Sequence, residues 1–284
     1  MDKKRLVIAI PASVISDTPH LREKTSKVGL IGRAAAIFRV DEIIVYRDNP
    51  REEQTADLDL IATLLSYMET PQYLRKRLFK IEPRLQYAGI LPPLRTPHHP
   101  VNRRAKDLRA GEYVEGLVLS SAKEGLLVDV GVEFPALLRD KQHEIGARLT
   151  LQVVRAGDRV EVQAANRGDV PDYWGYVVTV ERGSLLSVLE RVKADLVVGT
   201  SRKGSAFTSL AEKLAGKWRA AKSILVIFGA PSRGLHEIAG DEGWQISELL
   251  DFVANTIPCQ GTETIRTEEA VFASLAILNV WFGF

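Results

Sequence analysis

The chain has 284 residues, 45% of them hydrophobic and 26% charged, with 38 Lys and Arg against 36 Asp and Glu for a net charge of +2. That balance is globular and excludes a disordered chain, and the length suits one large domain plus a small one. A single cysteine, Cys259, excludes an intramolecular disulfide and a multi-cysteine zinc site. No apolar run reaches bilayer thickness, and the run at residues 6–10, closed by Pro11, is too short for a secretory signal, so a cytoplasmic protein with no membrane role is expected.

Residues 6–10 read as a buried strand, 29–38 carry small residues at helical spacing, and 43–46 form a second short strand. Helices are predicted over 58–68 and 73–81, with Thr70 and Pro71 as N-cap and first helical residue of the latter. Pro83, Pro92, Pro93, Pro97 and Pro100 then punctuate the chain as a domain boundary does. From about Gly111 the pattern turns to β. Residues 113–119 alternate, 125–131 follow a turn, and 149–154 and 159–163 flank the turn Ala156-Gly157-Asp158. Short strands at that spacing predict a small barrel. After residues 166–171, strands at 177–180, 196–198 and 224–228 accompany helices at 184–192, 205–217 and 267–280, the mark of a parallel α/β domain. The expectation is an α/β domain, residues 1–93 and 167–284, split by an all-β insertion at 94–166.

Charge is distributed unevenly. Between Arg75 and Arg109 stand ten basic residues and two acids, a local excess of +8 placed just before and into the barrel. Such a stretch suits phosphate contacts, and Arg75, Arg77, Lys80, Arg103 and Arg104 are the candidates to make them on RNA. A solvated helix face is the plainer reading for part of residues 75–80. Single-stranded nucleic acid is held by stacking its bases on aromatic rings beside a basic groove. Tyr113 is the candidate ring here, while Phe134 serves equally well as core. His98-His99 reads as a loop feature with no further ligand near it, so no metal is expected.

Three segments carry a family resemblance. In residues 29–40, Gly29, Arg33 and Phe38 have the spacing of the first motif of the SpoU branch of the SPOUT superfamily, where a glycine precedes an arginine by four residues. In residues 224–235, Phe228-Gly229 ends a strand and Gly234-Leu235 lies beyond, as in the second motif, although Pro231 stands where the family often has glutamate. In residues 257–270, Ile257-Pro258 and Gly261 lead through a loop into the last helix as in the third motif, with Arg266 replacing the usual asparagine and the spacing one residue shorter. Three motifs in this order resemble a SPOUT subgroup of RNA methyltransferases, and the likeness extends over nearly the whole chain.

The resemblance implies a SPOUT-type parallel sheet with a C-terminal deep trefoil knot, a homodimer, and S-adenosylmethionine bent into the knot. It implies methylation of RNA, with ribosomal RNA the expected substrate, since at least one member of the subgroup is associated with uridine ring nitrogen 3 there. The inserted barrel is similar to OB-type modules through residues 111–116 and 125–131. The cofactor loops are then Phe228, Gly229 and Ala230 on one strand end, and Ile257, Pro258, Gln260, Gly261, Thr262, Thr264 and Ile265 on the next. Thr200 joins them at a further strand end, where open α/β sheets place ligands. On pattern alone, Gly229 ending a strand and Pro258 turning a loop are the plainer readings. Arg33 is assigned to the transfer by position and charge, since a guanidinium is seldom a free base. Arg266 and Arg202 are candidates to share the stabilisation of the acceptor anion, Arg202 is also a candidate RNA contact, and a surface ion pair is the alternative for each of the three arginines. Glu268 and Glu269, following Thr267, read as helix-start residues and not as catalytic ones. A non-catalytic RNA-binding protein that keeps the fold stays open on the departures at Pro231 and Arg266. A dinucleotide-dependent oxidoreductase does not, because no Gly-x-Gly-x-x-Gly follows the first strand.

Overall fold

A computed structural model describes residues 4–101 and 103–283, which divide into two compact units. The first comprises residues up to Met68, Pro83–Pro93 and Tyr176 onward; the second comprises Glu69–Glu82 and Leu94–Gly175.

The first unit is α/β. Its strands are β1 (Arg5–Pro11), β2 (Glu42–Tyr46), β8 (Val177–Glu181), β9 (Leu196–Ala206), β10 (Ser223–Ile227) and β11 (Phe252–Asn255), and its helices are α1 (Leu21–Ile37), α2 (Thr55–Glu69, whose last residue opens the second unit), α4 (Leu185–Val192), α5 (Phe207–Ala220), α6 (Leu235–Asp241), α7 (Ile246–Leu249) and α8 (Thr267–Phe282). All pairings in the sheet are parallel, in the order β11-β9-β10-β1-β2-β8. Burial on both faces explains why β1, β2 and β10 are nearly unbroken apolar runs. Val7, Ala9, Ile44, Tyr46, Leu225 and Ile227 form a core with Leu185, Val188, Leu235, Ile238 and Ile246 from α4, α6 and α7, and with Leu250, the residue after α7. Along α1, small residues allow close approach. A methyl group on Gly29 would stand 2.9 Å from the Pro92 ring, and one on Gly32 would stand 2.7 Å from the Tyr176 hydroxyl. The first motif's glycine is therefore a packing residue here.

The second unit is a closed barrel with strand order β3-β4-β5-β7-β6, built from β3 (Tyr113–Ala122), β4 (Gly125–Asp129), β5 (Ala136–Leu138), β6 (Arg148–Arg155) and β7 (Glu161–Ala164), together with helix α3 (Gln72–Leu78). Val114, Val118, Val128, Leu138, Leu151, Val153 and Val162 fill it. Phe134 packs on this core, which settles the alternative left open by the sequence.

Four differences from the expected elements have physical causes. Strand β5 has three residues, too few for alternation to show. Strand β11 is also short, and its four residues include Asn255. Thr70 does not cap α3: the N-cap position is Pro71, and the buried Thr70 hydroxyl lies 3.4 Å from Arg148 Nη1. Glu268 does not sit at the open helix start either. It is buried, 3.6 Å from Lys27 Nζ of α1, while Glu269 accepts from the Arg266 amide at 2.9 Å and so caps α8 alone.

Candidate active site and a basic barrel

The site arises where β9, β10 and β11 end. Strand β9 pairs with β11 as far as Gly199 opposite Val253, and the next pair is Ser205 opposite Ala254. Residues 200–204 therefore bulge out of the sheet. Gly204 permits the return, since a methyl group there would stand 2.6 Å from the Val253 carbonyl oxygen. Beyond β10, the chain turns sharply at Gly229, where the Ala230 amide donates to the Arg233 carbonyl at 3.0 Å. A side chain at Gly229 would press on the Arg233–Leu235 backbone, so this glycine serves the turn.

These two segments and the stretch between β11 and α8 enclose a cavity of about 240 Å³. Thr200, Phe228, Gly229, Ala230, Ile257, Gln260, Thr264 and Ile265 line it, as does Arg202. Pro258, Gly261 and Thr262 belong to the same loop but lie off the wall, and so do Arg33 and Arg266. Arg33, on α1, donates from Nη1 to the Pro93 carbonyl at 3.0 Å. Arg266 is the residue before α8 and is exposed.

Hydrogen bonds fix the loop. Asn255 donates to the Arg202 carbonyl at 3.0 Å and accepts from the Ile257 amide at 3.0 Å. Gln260 donates to the carbonyls of Thr262 and Glu263, and Arg202 donates to that of Glu263. Thr262 donates to the Thr264 carbonyl at 3.0 Å, so its hydroxyl shapes the loop from outside the wall. Thr256 and Ser274 share a hydrogen bond of 2.8 Å, and Thr267 donates to the Gly229 carbonyl at 3.0 Å. Lys27 is buried between Asp17, at 2.6 Å, and Glu268. Burial pushes the Glu268 carboxyl above its ordinary range, with Lys27 pulling the other way.

Several wall residues escaped the sequence reading: Ser201, Lys203, His236, Glu237, Asn255 and Thr256 among them. Asn255 and Thr256 directly precede Ile257-Pro258, and His236 follows Gly234-Leu235, so extending each motif by two residues would have found them.

The remaining candidates belong to the barrel unit, with the exception of Arg202. Arg75 donates to the Thr70 carbonyl at 2.8 Å, Arg77 pairs with Asp129 at 3.1 Å, and Arg103 pairs with Glu112. Lys80 and Arg104 are exposed, and Tyr113 is half-buried, edge-on to Trp174. Basic side chains therefore stand on this unit, some of them already held by partners. His98 and His99 both lie within hydrogen-bonding distance of the Glu69 carbonyl, and burial lowers His99 to about 3. Among the described residues no group of three or more His, Cys, Asp or Glu could hold a metal ion, and no helix is long and apolar enough to cross a membrane.

Comparison with known proteins accords with the ordered motifs. A family described as "Putative RNA methyltransferase" matches residues 5–278. The human 28S rRNA (uridine-N(3))-methyltransferase is 33% identical over 96% of this chain and 77% of its own length. Its Drosophila melanogaster counterpart of the same name is 31% identical, over 96% and 61%. An uncharacterized protein of Halobacterium salinarum is 32% identical over 96% of this chain and 98% of its own length. With the family matched from β1 into the last helix and relatives covered over most of their length, the chain belongs to this family of RNA methyltransferases.

Proposed function

We propose that this protein transfers a methyl group from S-adenosylmethionine to ribosomal RNA, at ring nitrogen 3 of a uridine. The observation that carries the reading is the convergence of three loops, at the carboxyl ends of β9, β10 and β11, on one cavity. The relatives named for uridine-N3 methylation of 28S rRNA supply the acceptor.

The wall fits the cofactor's chemistry. Thr200, Ser201, Thr256 and Thr264 bring hydroxyls, Asn255 and Gln260 bring amides, and Ala230 and Ile257 bring apolar surface for an adenine. Phe228, Gly229 and Ala230 would hold one end of the cofactor, and Ile257, Gln260, Thr264 and Ile265 the other, with Pro258, Gly261 and Thr262 shaping the loop. When bound, the cofactor supplies a methyl group already activated on a sulfonium. The protein's task is then orientation and charge stabilisation, without a nucleophile of its own. Arg33 and Arg266 are assigned to the acceptor anion and Arg202 to the RNA backbone at the cavity mouth.

In this reading the stretch from β11 to α8 closes a trefoil knot. The barrel is an OB-type module that meets RNA through Arg75, Arg77, Lys80, Arg103, Arg104 and Tyr113. A homodimer is part of the same proposal. Leu30 and Ile37 on α1 and Val280 and Trp281 on α8 are exposed apolar side chains, as expected of surface covered by a second copy. The test is mass spectrometry of ribosomal RNA nucleosides from cells with and without the gene, beside calorimetry with S-adenosylhomocysteine. Loss of 3-methyluridine and a one-to-one binding heat are expected. An unchanged nucleoside profile or no heat overturns the reading.

A further inference from the structure

Methylation of an imide ring nitrogen, on which this inference rests, needs a base, because the nitrogen pair is delocalised into the flanking carbonyls until the proton leaves. The ionisable side chains on the cavity wall are Arg202, Lys203, His236, Glu237 and Glu263. Arg202 is committed to the Glu263 carbonyl. Lys203 and Glu237 are paired at 3.0 Å, and Glu237 also accepts from the Gly234 amide at 2.6 Å. Lys203 first, and that amide next, hold the Glu237 carboxyl below its ordinary range, which makes it a poor base. Glu263 is exposed on the outer loop.

His236 differs from all of these. It is half-buried in the first turn of α6, with Nδ1 3.4 Å from the Ser201 hydroxyl oxygen, and Nε2 makes no hydrogen bond among the described residues. The Ser201 oxygen already accepts from the Lys203 amide at 3.2 Å and has a second lone pair for an Nδ1–H donor. In that tautomer Nε2 carries a free pair. His236 also lines a second, more open cavity that contains Trp244, which is 42% exposed, together with Asp251 and Phe252. It therefore stands where the first cavity meets a groove with an aromatic ring suited to stacking a base.

We propose that His236 is the general base of the transfer, oriented through Nδ1 by Ser201, with the acceptor base entering by the Trp244 groove. The ring N–H bond breaks and its proton passes to Nε2. The freed pair bonds to the methyl carbon as the carbon–sulfur bond breaks with its pair left on sulfur. A cationic donor and a neutral imidazole thus become a neutral thioether and an imidazolium, which returns its proton to water. The charged groups that share these two cavities with it are Lys203 and Arg202 on the β9 bulge, Glu237 beside it on α6, Glu263 on the outer loop and Asp251 in the groove.

The test compares full-length wild type with His236→Gln, using S-adenosylmethionine and ribosomal RNA from cells lacking the gene. The variant is expected to lose roughly 100-fold in kcat, to bind S-adenosylhomocysteine within threefold of wild type, and to regain part of its rate with added imidazole. A variant within threefold of wild-type kcat, with the same pH profile, would sink the inference. Loss of cofactor affinity would overturn it too, by moving His236 into the cofactor's share of the cavity. A second measurement needs no variant: the ionisation seen by imidazole ¹⁵N NMR of His236 must match the acidic limb of wild-type kcat/KM, and a mismatch above about one pH unit counts against the base. Wild type that leaves uridine unmethylated overturns the underlying reading instead.

Discussion

The Thr267 hydroxyl donates to the Gly229 carbonyl at 3.0 Å, so the first residue of the last helix is tied to the turn after β10. Thr267 is buried and lines the cavity, which makes this bond a strut between two of the three loops. Thr267→Val keeps the shape and leaves the carbonyl without this donor. A loss of about 1 kcal/mol in urea unfolding is expected, with S-adenosylhomocysteine affinity down by roughly tenfold by calorimetry.

The β9 bulge is a second control point. Gly204→Ala would drive a methyl group against the Val253 carbonyl, a backbone atom that cannot swing aside. Destabilisation of about 1–3 kcal/mol should appear as a lowered Tm. Because Thr200 to Lys203 ride on this bulge, cofactor binding should weaken in the same variant beyond what Gly89→Ala shows, where a methyl group meets nothing within 4 Å.

In the barrel unit, Arg148 joins two buried carboxylates, with Nη1 2.7 Å from Glu69 and Nε 2.6 Å from Glu115. Arg148→Ala removes the bridging cation from both and leaves Glu69 with His98 and Glu115 with Trp174 and Thr150, for an expected cost of about 3 kcal/mol. The pH dependence follows from Glu69. Burial pushes its carboxyl up, but the His98 hydrogen bond and the Arg148 charge together hold it below its ordinary value of 4.5. A depressed folded value means that the stabilisation is complete above 4.5 and is lost as pH falls through the lower folded value. Circular dichroism should show wild type holding to lower pH than Arg148→Ala.

Arg33 lies off the cavity wall, and its assignment to the acceptor side has a direct consequence. Arg33→Ala should reduce methyl transfer by roughly 100-fold or more while leaving S-adenosylhomocysteine affinity within a few-fold. A loss of cofactor binding with the fold intact would assign Arg33 to the other half of the site.

Lys80 and Arg104 are exposed on the barrel unit. Replacing both with Ala should weaken RNA binding across sequences and lower the salt slope of log K by about one for each phosphate that is no longer neutralised. Filter binding between low and moderate salt reads this directly, and the heat of cofactor binding should not change.

Local pattern was enough to place the layered α/β unit, the barrel strands and the strand ends that line the cavity. Those features are written locally: β1, β2 and β10 are nearly continuous apolar runs because both faces are covered, whereas β6 alternates, with Leu151 and Val153 in the barrel core and Gln152 between them outside it. Phe228, Gly229 and Ile257 were legible because strand ends and Gly or Pro turns mark themselves in a short window. Which residues of each loop face inward emerges only in the folded chain. Thr262 turns its hydroxyl to its own loop, Glu268 leaves the helix start for Lys27, and Thr267 caps nothing because Gly229 takes its proton. The fold also brought His236 beside Ser201, 35 positions away, across a bulge that only the register of β9 against β11 creates. A side chain's nearest polar partner is set by which strands lie side by side, and that order is a property of the folded chain, not of any window along it.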